Sequence, residues 1–346
     1  MMWQEFLEQQ GAKLNAFDVT GFSHAWESDA IHTGFFTSLN HLGLIQVSGA
    51  DAASFLHGQL SNDVEHLTPT EVRRAAYCTP KGRMLASFML WKTGEDIQVQ
   101  LSRAIQPAIQ KRLQMYVLRA KAKLADVSDN TVQLGLGGAH AGAALQNWFP
   151  ALPTQIDSQV SNEFGILQKV ADANQSARYQ WITSNETAQL AWPVLSQQLQ
   201  AVNASAWRLT EIQAGIAQIV ALTQEQFVPQ MLNFEMIGGV NFKKGCYPGQ
   251  EIVARSQYLG KLKRRMAIAS IAQADVTPAM EVFSESDPAQ PCGMVVNAEQ
   301  DSANSSLALI EMKLADQEAG HIHLSSADGA EIRFLPLPYV INDITQ

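Results

Sequence analysis

The segment FKKGCYPGQEIVAR, residues 242–255, places a cysteine in a setting suited to chemistry. Lys243 and Lys244 precede Cys246, and neighbouring cations favour the reactive thiolate form of a cysteine. Such a thiol can act as a nucleophile, as a ligand of a metal or cluster, or as a redox-sensitive group. The alternative is a small buried residue at a tight turn. No histidine lies nearby in the sequence to act as a base for the thiol, although the fold could bring one from elsewhere.

Glycine and proline shape the backbone on both sides of this cysteine. Gly245 and Gly249 permit conformations that are closed to residues with a Cβ, and Pro248 stiffens the turn between them. Glu251 and Arg255 would share one side of a strand or pair one turn apart on a helix. In either case we interpret these two residues as an ion pair that holds the loop.

Basic residues are concentrated around this segment, although the whole chain carries a net charge of −9. The net charge argues against a protein that coats nucleic acid with its whole surface. A local basic patch suits an anionic small ligand or a transient contact with RNA or protein. The alternative is a set of solvated charges that flank core elements. The basic residues of the patch are Lys243, Lys244, Arg255, Lys261, Lys263, Arg264 and Arg265.

The composition is that of a soluble globular protein, with 346 residues of which 46% are apolar and 16% charged. This length predicts about two or three domains. No apolar run is long enough to span a membrane, and the start of the chain lacks the features of a secretory signal, so we expect a cytoplasmic protein. Three distant cysteines do not indicate a disulfide framework. His321 and His323 suit surface imidazoles on a strand better than a metal pair, and no metal site is predicted.

The elements that position the segment follow from periodicity. Apolar or alternating runs predict strands at LGLIQV, EDIQVQL, AKLADVS and VQLGLGG, and a hairpin around TPKG. Helices are predicted after a Ser48 cap and from Pro107 to about Val117. This order is typical of an α+β unit of the split βαβ type.

Further along the chain, EFGILQKV and RYQWITS predict strands. A helix interrupted at Pro193 and a helix that begins at a Ser205 cap follow them. Beyond about residue 262, short apolar runs separated by turn residues predict a small antiparallel barrel. The cysteine segment therefore precedes a predicted domain boundary, where ligand clefts are common.

The string KKGCYPGQE, residues 243–251, together with the preceding FVPQMLNFEMIGGVNF, resembles the signature of the YgfZ family. Members of this family are folate-binding proteins of iron–sulfur cluster maintenance and tRNA modification. They share a fold with the aminomethyltransferase (T protein) of the glycine cleavage system. The similarity runs from about Leu42 to PLPY at 336–339. It includes SGADAASFLHGQLSNDV, CTPKGRM, LGLGG and WRLTEIQAGI.

The resemblance implies an α+β fold in which two ferredoxin-like, split βαβ domains and a C-terminal antiparallel β-barrel form a ring around a folate site. On this basis we expect four parts. They are an N-terminal extension (1–30), a first α+β domain (31–135), a second α+β domain with the signature segment (136–262) and a β-barrel domain (263–346).

The resemblance also implies a function. The protein would bind a reduced folate, tetrahydrofolate or a derivative, and act as an accessory protein in the assembly or repair of iron–sulfur clusters. It would support [4Fe–4S] enzymes, including radical enzymes that methylthiolate tRNA. Its partners would be iron–sulfur enzymes or assembly proteins in transient contact, with an indirect link to tRNA and no membrane. Whether such a protein catalyses a chemical step is left open.

Site residues carry over by position. Cys246 would be the functional thiol, surrounded by Lys244, Gly245, Gly249, Gln250 and Glu251. Two tryptophans of related members are associated with folate. One corresponds to Trp207, whose indole would stack on an aromatic ring of folate or pack in the core. The other corresponds to Leu42, which cannot stack. The expected folate contacts are Trp207, Leu42, Gln59, Asn62, Asp63, Lys243 and Arg255.

Two readings of Asp63 remain open, because its carboxylate would accept hydrogen bonds from a pterin or cap an Asn-Asp turn after a helix.

The chain departs from the aminomethyltransferases at acidic positions. Their acidic pair is replaced by Leu85 and Ala86, and their folate-side glutamate by Gln213. The acid–base or electrostatic help of those carboxylates is therefore missing. A folate-dependent one-carbon transferase or demethylase remains the alternative function. A non-catalytic module that binds tRNA is the third hypothesis, and the acidic net charge disfavours it.

Overall fold

The computed structural model describes residues 2–22, 29–258 and 262–341. The chain divides into two compact units, and it passes between them more than once. The domain boundaries expected from the sequence stay predictions. The first unit contains residues 1–49, 67–72 and 90–210, and the second contains residues 50–66, 73–89 and 211–346.

Residues expected to form an N-terminal extension have regular structure in the first unit. Helix α1 (Trp3–Gln9) is followed by strands β1 (Ala12–Asn15) and β2 (Asp18–Phe22), which pair antiparallel. The buried Trp3 ring lies 5.8 Å from the ring of Trp192. This segment therefore contributes to the core of the first unit, which its sequence did not indicate.

The next part of the chain has the predicted α+β order. β4 pairs antiparallel with both β7 and β8, and the five-stranded sheet has the order β5-β6-β7-β4-β8. The Ser48 cap was wrong, because Ser48 ends β4 and α3 begins only at Ala52. The elements are α2 (Ala30–Thr33), β3 (Phe35–Ser38), β4 (Leu42–Ser48), α3 (Ala52–His57), β5 (Val72–Cys78), β6 (Met84–Thr93), β7 (Asp96–Ser102), α4 (Gln106–Val117), β8 (Lys123–Asp126) and β9 (Val132–Gly137).

A six-stranded sheet completes the first unit, with the order β10-β11-β12-β9-β3-β13. Helix α6 passes through Pro193 without the predicted break, and it ends two residues later at Leu195. Proline lacks the N–H that would bond the carbonyl group four residues earlier, and the helix ends within one turn of it. Helix α7 begins one residue before the predicted Ser205 cap. The elements are α5 (Ala141–Leu145), β10 (Ser158–Asn162), β11 (Gly165–Ala173), β12 (Ser176–Thr183), α6 (Asn185–Leu195), β13 (Gln200–Ala201) and α7 (Ala204–Gln213).

The C-terminal part forms one antiparallel sheet in the second unit, as the six apolar runs predicted. Its order is β18-β15-β16-β17-β14-β19, and a bridge between His323 and Glu331 joins the two outer edges. The sheet is therefore curled into a half-barrel. The elements are α8 (Gln250–Tyr258), β14 (Arg264–Ile271), β15 (Glu281–Ser284), β16 (Asp287–Ser302), β17 (Ser305–Lys313), α9 (Leu314–Ala319), β18 (Ile322–Leu324) and β19 (Ile332–Leu335).

None of the helices in the described part of the chain is long and apolar enough to cross a membrane.

Candidate functional site

The signature segment, residues 243–251, turns at Gly249 before α8 begins. Gly249 has a φ of 83°, in the left-handed region that favours glycine. A Cβ at this position would lie 2.4 Å from the carbonyl oxygen of Thr79 and 2.7 Å from the Cα of Gly82. The segment is therefore in direct contact with the TPKG turn between β5 and β6. Two stretches that the sequence analysis matched separately meet at this glycine.

Lys244 fastens the segment to the end of α3. Its Nζ donates hydrogen bonds to the carbonyl oxygens of His57 and Leu60, the latter at 2.8 Å, and lies 4.8 Å from the ring centroid of Tyr247. Carbonyl groups at the C-terminal end of a helix attract cations. Burial lowers the pKa of Lys244 to about 8, against the attraction of nearby negative groups. Lys244 thus tethers the loop, besides lying close to the cysteine.

Cys246 is exposed, whereas Cys78 and Cys292 are buried. Burial raises the pKa of Cys78 to about 12 and that of Cys292 to about 11. These two thiols therefore stay protonated near neutral pH and are shielded from solvent. Cys246 is the thiol that a reagent or a partner can reach.

The imidazole of His57 lies beside the signature segment. His57 Nε2 lies 3.6 Å from the position that a Cβ on Gly245 would occupy. His57 Nδ1 lies 3.1 Å from Oδ1 of Asp63. His57 was not among the predicted site residues, because His57 is distant from Cys246 in the chain and only the fold brings it close to the signature segment.

Asp63 lies between two imidazoles. Its Oδ2 is 2.8 Å from Nδ1 of His66, and its Oδ1 is near His57. Burial opposes ionisation of this carboxyl group, but hydrogen bonds from the backbone and the ring of His66, with the charges of both histidines, outweigh it. The pKa of Asp63 is therefore lowered. These contacts match the turn alternative, and a direct contact with folate stays a prediction.

Asn62 is buried and all of its side-chain groups have protein partners. Its Nδ2 donates to the carbonyl oxygens of Arg74 and Gly238, both at 2.7 Å, and its Oδ1 accepts from the backbone N–H of Asp63 at 2.8 Å. The neighbouring Gln59 differs, because its buried Oε1 has no hydrogen-bond partner among the described residues. Gln59 is therefore the better placed of the two to accept a hydrogen bond from a ligand.

The start of α8 decides between the two sequence alternatives for Glu251 and Arg255, because both residues lie on a helix. Both are exposed, and the described residues show no ion pair between them. The interpretation of a pair that holds the loop was therefore wrong. Gln250 has a clearer local role, since its Oε1 accepts a hydrogen bond from the backbone N–H of Tyr247 at 3.3 Å.

The basic patch is smaller than the sequence suggested. Arg264 forms two hydrogen bonds with Glu311, at 2.6 and 2.9 Å, and the buried Arg265 lies 2.6 Å from Glu235. Their charges are therefore neutralised within the second unit. Lys261 lies outside the described residues. The exposed cations of the patch are Lys243, Arg255 and Lys263.

Trp207 and Leu42 belong to the first unit, where both are buried. The Trp207 ring lies against Gly135, whose Cβ would approach it to 2.5 Å, and 4.7 Å below the guanidinium carbon of Arg178. The carbonyl oxygen of Leu42 accepts a hydrogen bond from Gln133 at 3.2 Å. Both side chains pack in the core, and their contacts with folate stay predictions. Stacking on Trp207 would require Arg178 to move.

Comparisons with known proteins identify the family. The tRNA-modifying protein YgfZ of Enterobacter sp. (strain 638) is 30% identical over 308 residues, which cover 88% of this chain and 93% of that protein. This chain belongs to the YgfZ family. The YgfZ protein of Klebsiella pneumoniae (strain 342) is also 30% identical, with the same coverage. The family resemblance inferred from the signature is confirmed.

The fold also has a known counterpart. A model of the GCVT N-terminal domain matches residues 27–171. The crystal structure of glycine cleavage system aminomethyltransferase T from Bartonella henselae matches with a TM-score of 0.79, over 97% of this chain and 96% of that one. At 16% identity the match shows the fold alone. The α+β fold of T-protein type, with its curled C-terminal sheet, is confirmed.

Leu85 and Ala86, which the family resemblance matched to the acidic pair of the transferases, are apolar and closed to solvent in this YgfZ-family chain. Leu85 and Ala86 lie on β6 and are buried, and the carbonyl oxygen of Leu85 accepts a hydrogen bond from Gln224 at 2.7 Å. Neither position offers a group that could exchange a proton with a bound amine.

Two other features involve none of the expected site residues. A pocket of about 310 Å³ in the second unit is lined by residues that include Arg83, Met231 and Glu311, and by none of the expected site residues. His323 has both ring nitrogens engaged, Nδ1 at 3.1 Å from the carbonyl oxygen of Gly329 and Nε2 at 3.0 Å from Glu285.

Proposed function

We propose that this protein is a folate-binding accessory protein for the assembly or repair of iron–sulfur clusters. It supports [4Fe–4S] enzymes, including radical enzymes that methylthiolate tRNA. The observation that carries the proposal is the exposed thiol of Cys246 in a signature segment held by Lys244 and Gly249. Curated relatives are named tRNA-modifying proteins, which supports the link to tRNA.

The protein presents one thiol at a fixed place. In the part of the chain that the structure describes, no group of three or more His, Cys, Asp or Glu side chains is arranged to hold a metal ion. A [4Fe–4S] cluster takes about four cysteine ligands. A cluster treated by this protein would therefore keep most of its ligands on the client. A single ligand, Cys246, suits a transient contact with a cluster that is bound by another protein.

An unpaired polar atom supports the folate part of the proposal. The buried Oε1 of Gln59 in the second unit is an acceptor without a protein partner among the described residues. The N–H groups of a pterin are complementary to such an atom. Exposed Lys243 and Arg255 suit the carboxylates of the glutamyl tail. Bound folate would supply one-carbon carrier chemistry.

The test is complementation in a strain that lacks its own homologue. The wild type and Cys246→Ser are expressed at levels matched by immunoblot. One [4Fe–4S] enzyme activity and the methylthiolated fraction of tRNA are then measured. We expect the wild type to restore both and the serine variant to restore neither. Equal restoration by both proteins would show that Cys246 is structural, and no restoration by either would reject the proposed function for this chain.

The shared fold with aminomethyltransferase T keeps a folate-dependent one-carbon transferase or demethylase as the second candidate. The apolar Leu85 and Ala86 argue against it. Formation of formaldehyde or methylene-tetrahydrofolate from a supplied methylamine, by purified protein with tetrahydrofolate, would favour this candidate over the accessory role.

A further inference from the structure

We propose that His57, oriented by Asp63, accepts the proton of the Cys246 thiol. The inference deepens the proposed function, since it names the group that would activate the thiol on which that function rests. It adds a histidine and its carboxylate partner to a segment whose own sequence contains no histidine.

Asp63 determines which nitrogen of His57 is basic. An ionised carboxylate only accepts hydrogen bonds, so the His57 Nδ1 at 3.1 Å from Oδ1 must carry the hydrogen. The backbone N–H of Val64 approaches Nδ1 only to 3.4 Å and is the weaker contact. In the neutral ring Nε2 then holds the lone pair. Side-chain exposures of 14% for His57 and 17% for Asp63 show that this pair is largely shielded from water.

The lone pair of Nε2 faces the signature segment. Within the described parts of the chain, and leaving aside residues 244–246, Nε2 is the one atom within 4 Å of the position that a Cβ on Gly245 would take. Gly245 directly precedes Cys246. Among the described residues Nε2 has no hydrogen-bond partner. Lys244 binds the backbone carbonyl of the same histidine. The hydrogen bond of Lys244 and the approach of Nε2 to Gly245 therefore fix the position of the imidazole relative to the signature segment.

The proton transfer needs no reactant besides the thiol and the imidazole. The hydrogen of Sγ passes to Nε2, which leaves a thiolate and an imidazolium. Asp63 and Glu65, the latter with Oε2 3.8 Å from Nδ1, stabilise the positive ring. Lys244 lies two residues before Cys246 in the chain, and a neighbouring cation favours a thiolate.

The test measures the rate at which iodoacetamide alkylates the purified full-length protein, followed by intact mass across neutral pH. Cys246→Ser gives the background of the two buried thiols. We expect His57→Gln to lower the rate near neutral pH by about tenfold or more and to move the rate profile to higher pH. Asp63→Asn should act in the same direction, because the ring loses its orientation. Circular dichroism shows whether each variant is folded.

His66→Gln is the matched control. This imidazole binds the same carboxylate, but its side chain is 79% exposed. Its removal should leave the alkylation profile unchanged. Added imidazole should restore the rate of His57→Ala, which a purely structural role of His57 would not allow. A folded His57→Gln protein that alkylates like the wild type would overturn the inference.

Failure of this inference and failure of the proposed function can be told apart. If His57→Gln slows alkylation while the wild type does not restore the [4Fe–4S] enzyme, the activated thiol stands and the accessory function is wrong. If Cys246→Ser abolishes restoration while His57→Gln alkylates normally, the accessory function stands and His57 is not the proton acceptor.

Discussion

Single residues around Cys246 hold a loop in place through contacts with the backbone of distant segments. The Nζ of Lys244 binds two carbonyl groups just after α3, and Gly249 lies against the TPKG turn. These contacts restrict the positions of the Cys246 thiol, and the thiol itself takes no part in them. A reactive group held this way loses less conformational entropy when it meets its target.

Gly249→Ala tests this restraint. The new Cβ would meet Thr79 and Gly82 within 3 Å, and alanine at a φ of 83° is strained. We expect the free energy of unfolding to fall by about 3 kcal/mol, measured by urea denaturation. Gly238→Ala is the control, because Gly238 has a φ of 73° but, chain neighbours aside, no atom of the described residues lies within 4 Å of its Cβ position. That variant should lose only about 1 kcal/mol. Equal losses would show that the close contact at Gly249 contributes nothing.

At the scale of elements, the sequence predicted strands well and helix ends poorly. The apolar run LGLIQV and the Pro-Gly turn at TPKG are local signals, and β4 and the β5–β6 hairpin follow them. The caps at Ser48 and Ser205 were wrong, because a serine near a helix start is a weak signal and tertiary packing decides the boundary. α1 was missed because its burial depends on Trp192, far along the chain.

An ion pair links β14 to the segment before the signature. Arg265 on β14 lies 2.6 Å from Glu235, and both side chains are buried. Arg265→Met should lower the free energy of unfolding by about 3–5 kcal/mol, because it leaves a buried carboxylate without its partner. The double variant Arg265→Met/Glu235→Leu should recover much of that loss, since it removes both charges. Urea denaturation of the three proteins measures this. A double variant less stable than Arg265→Met would contradict it.

For the whole molecule, the signature predicted the family and the fold, but one sequence could not supply the surroundings of the thiol. His57 reaches the signature segment only through the fold. The strength of the basic patch was overestimated for the same reason, because Glu235 and Glu311 are distant in sequence from the arginines that they neutralise. For Trp207 the sequence left stacking on folate and core packing open, and the structure places the ring in the core of the first unit.

The distribution of charge over the chain bears on direct binding of tRNA. A net charge of −9 repels a polyanion, and near Cys246 the patch retains few exposed cations. We therefore expect fluorescence anisotropy with unmodified tRNA to give a Kd no tighter than about 10⁻⁵ M at physiological salt, in the range of non-specific binding. Added folate should not change it. Such weak binding would leave the link to tRNA with the client enzymes.

The variants Lys243→Gln and Arg255→Gln refine this expectation. If these exposed side chains make the few phosphate contacts, their combined loss should flatten the salt dependence, which for two contacts has a slope of about −2 in log Kobs against log salt. Lys111→Gln, which removes an exposed cation of α4, is the control and should leave the slope unchanged. A tight complex with tRNA that persists at high salt would instead make this protein a direct tRNA-binding module. In that case the weak binding expected from the acidic net charge would be wrong, because specific contacts would outweigh the long-range repulsion.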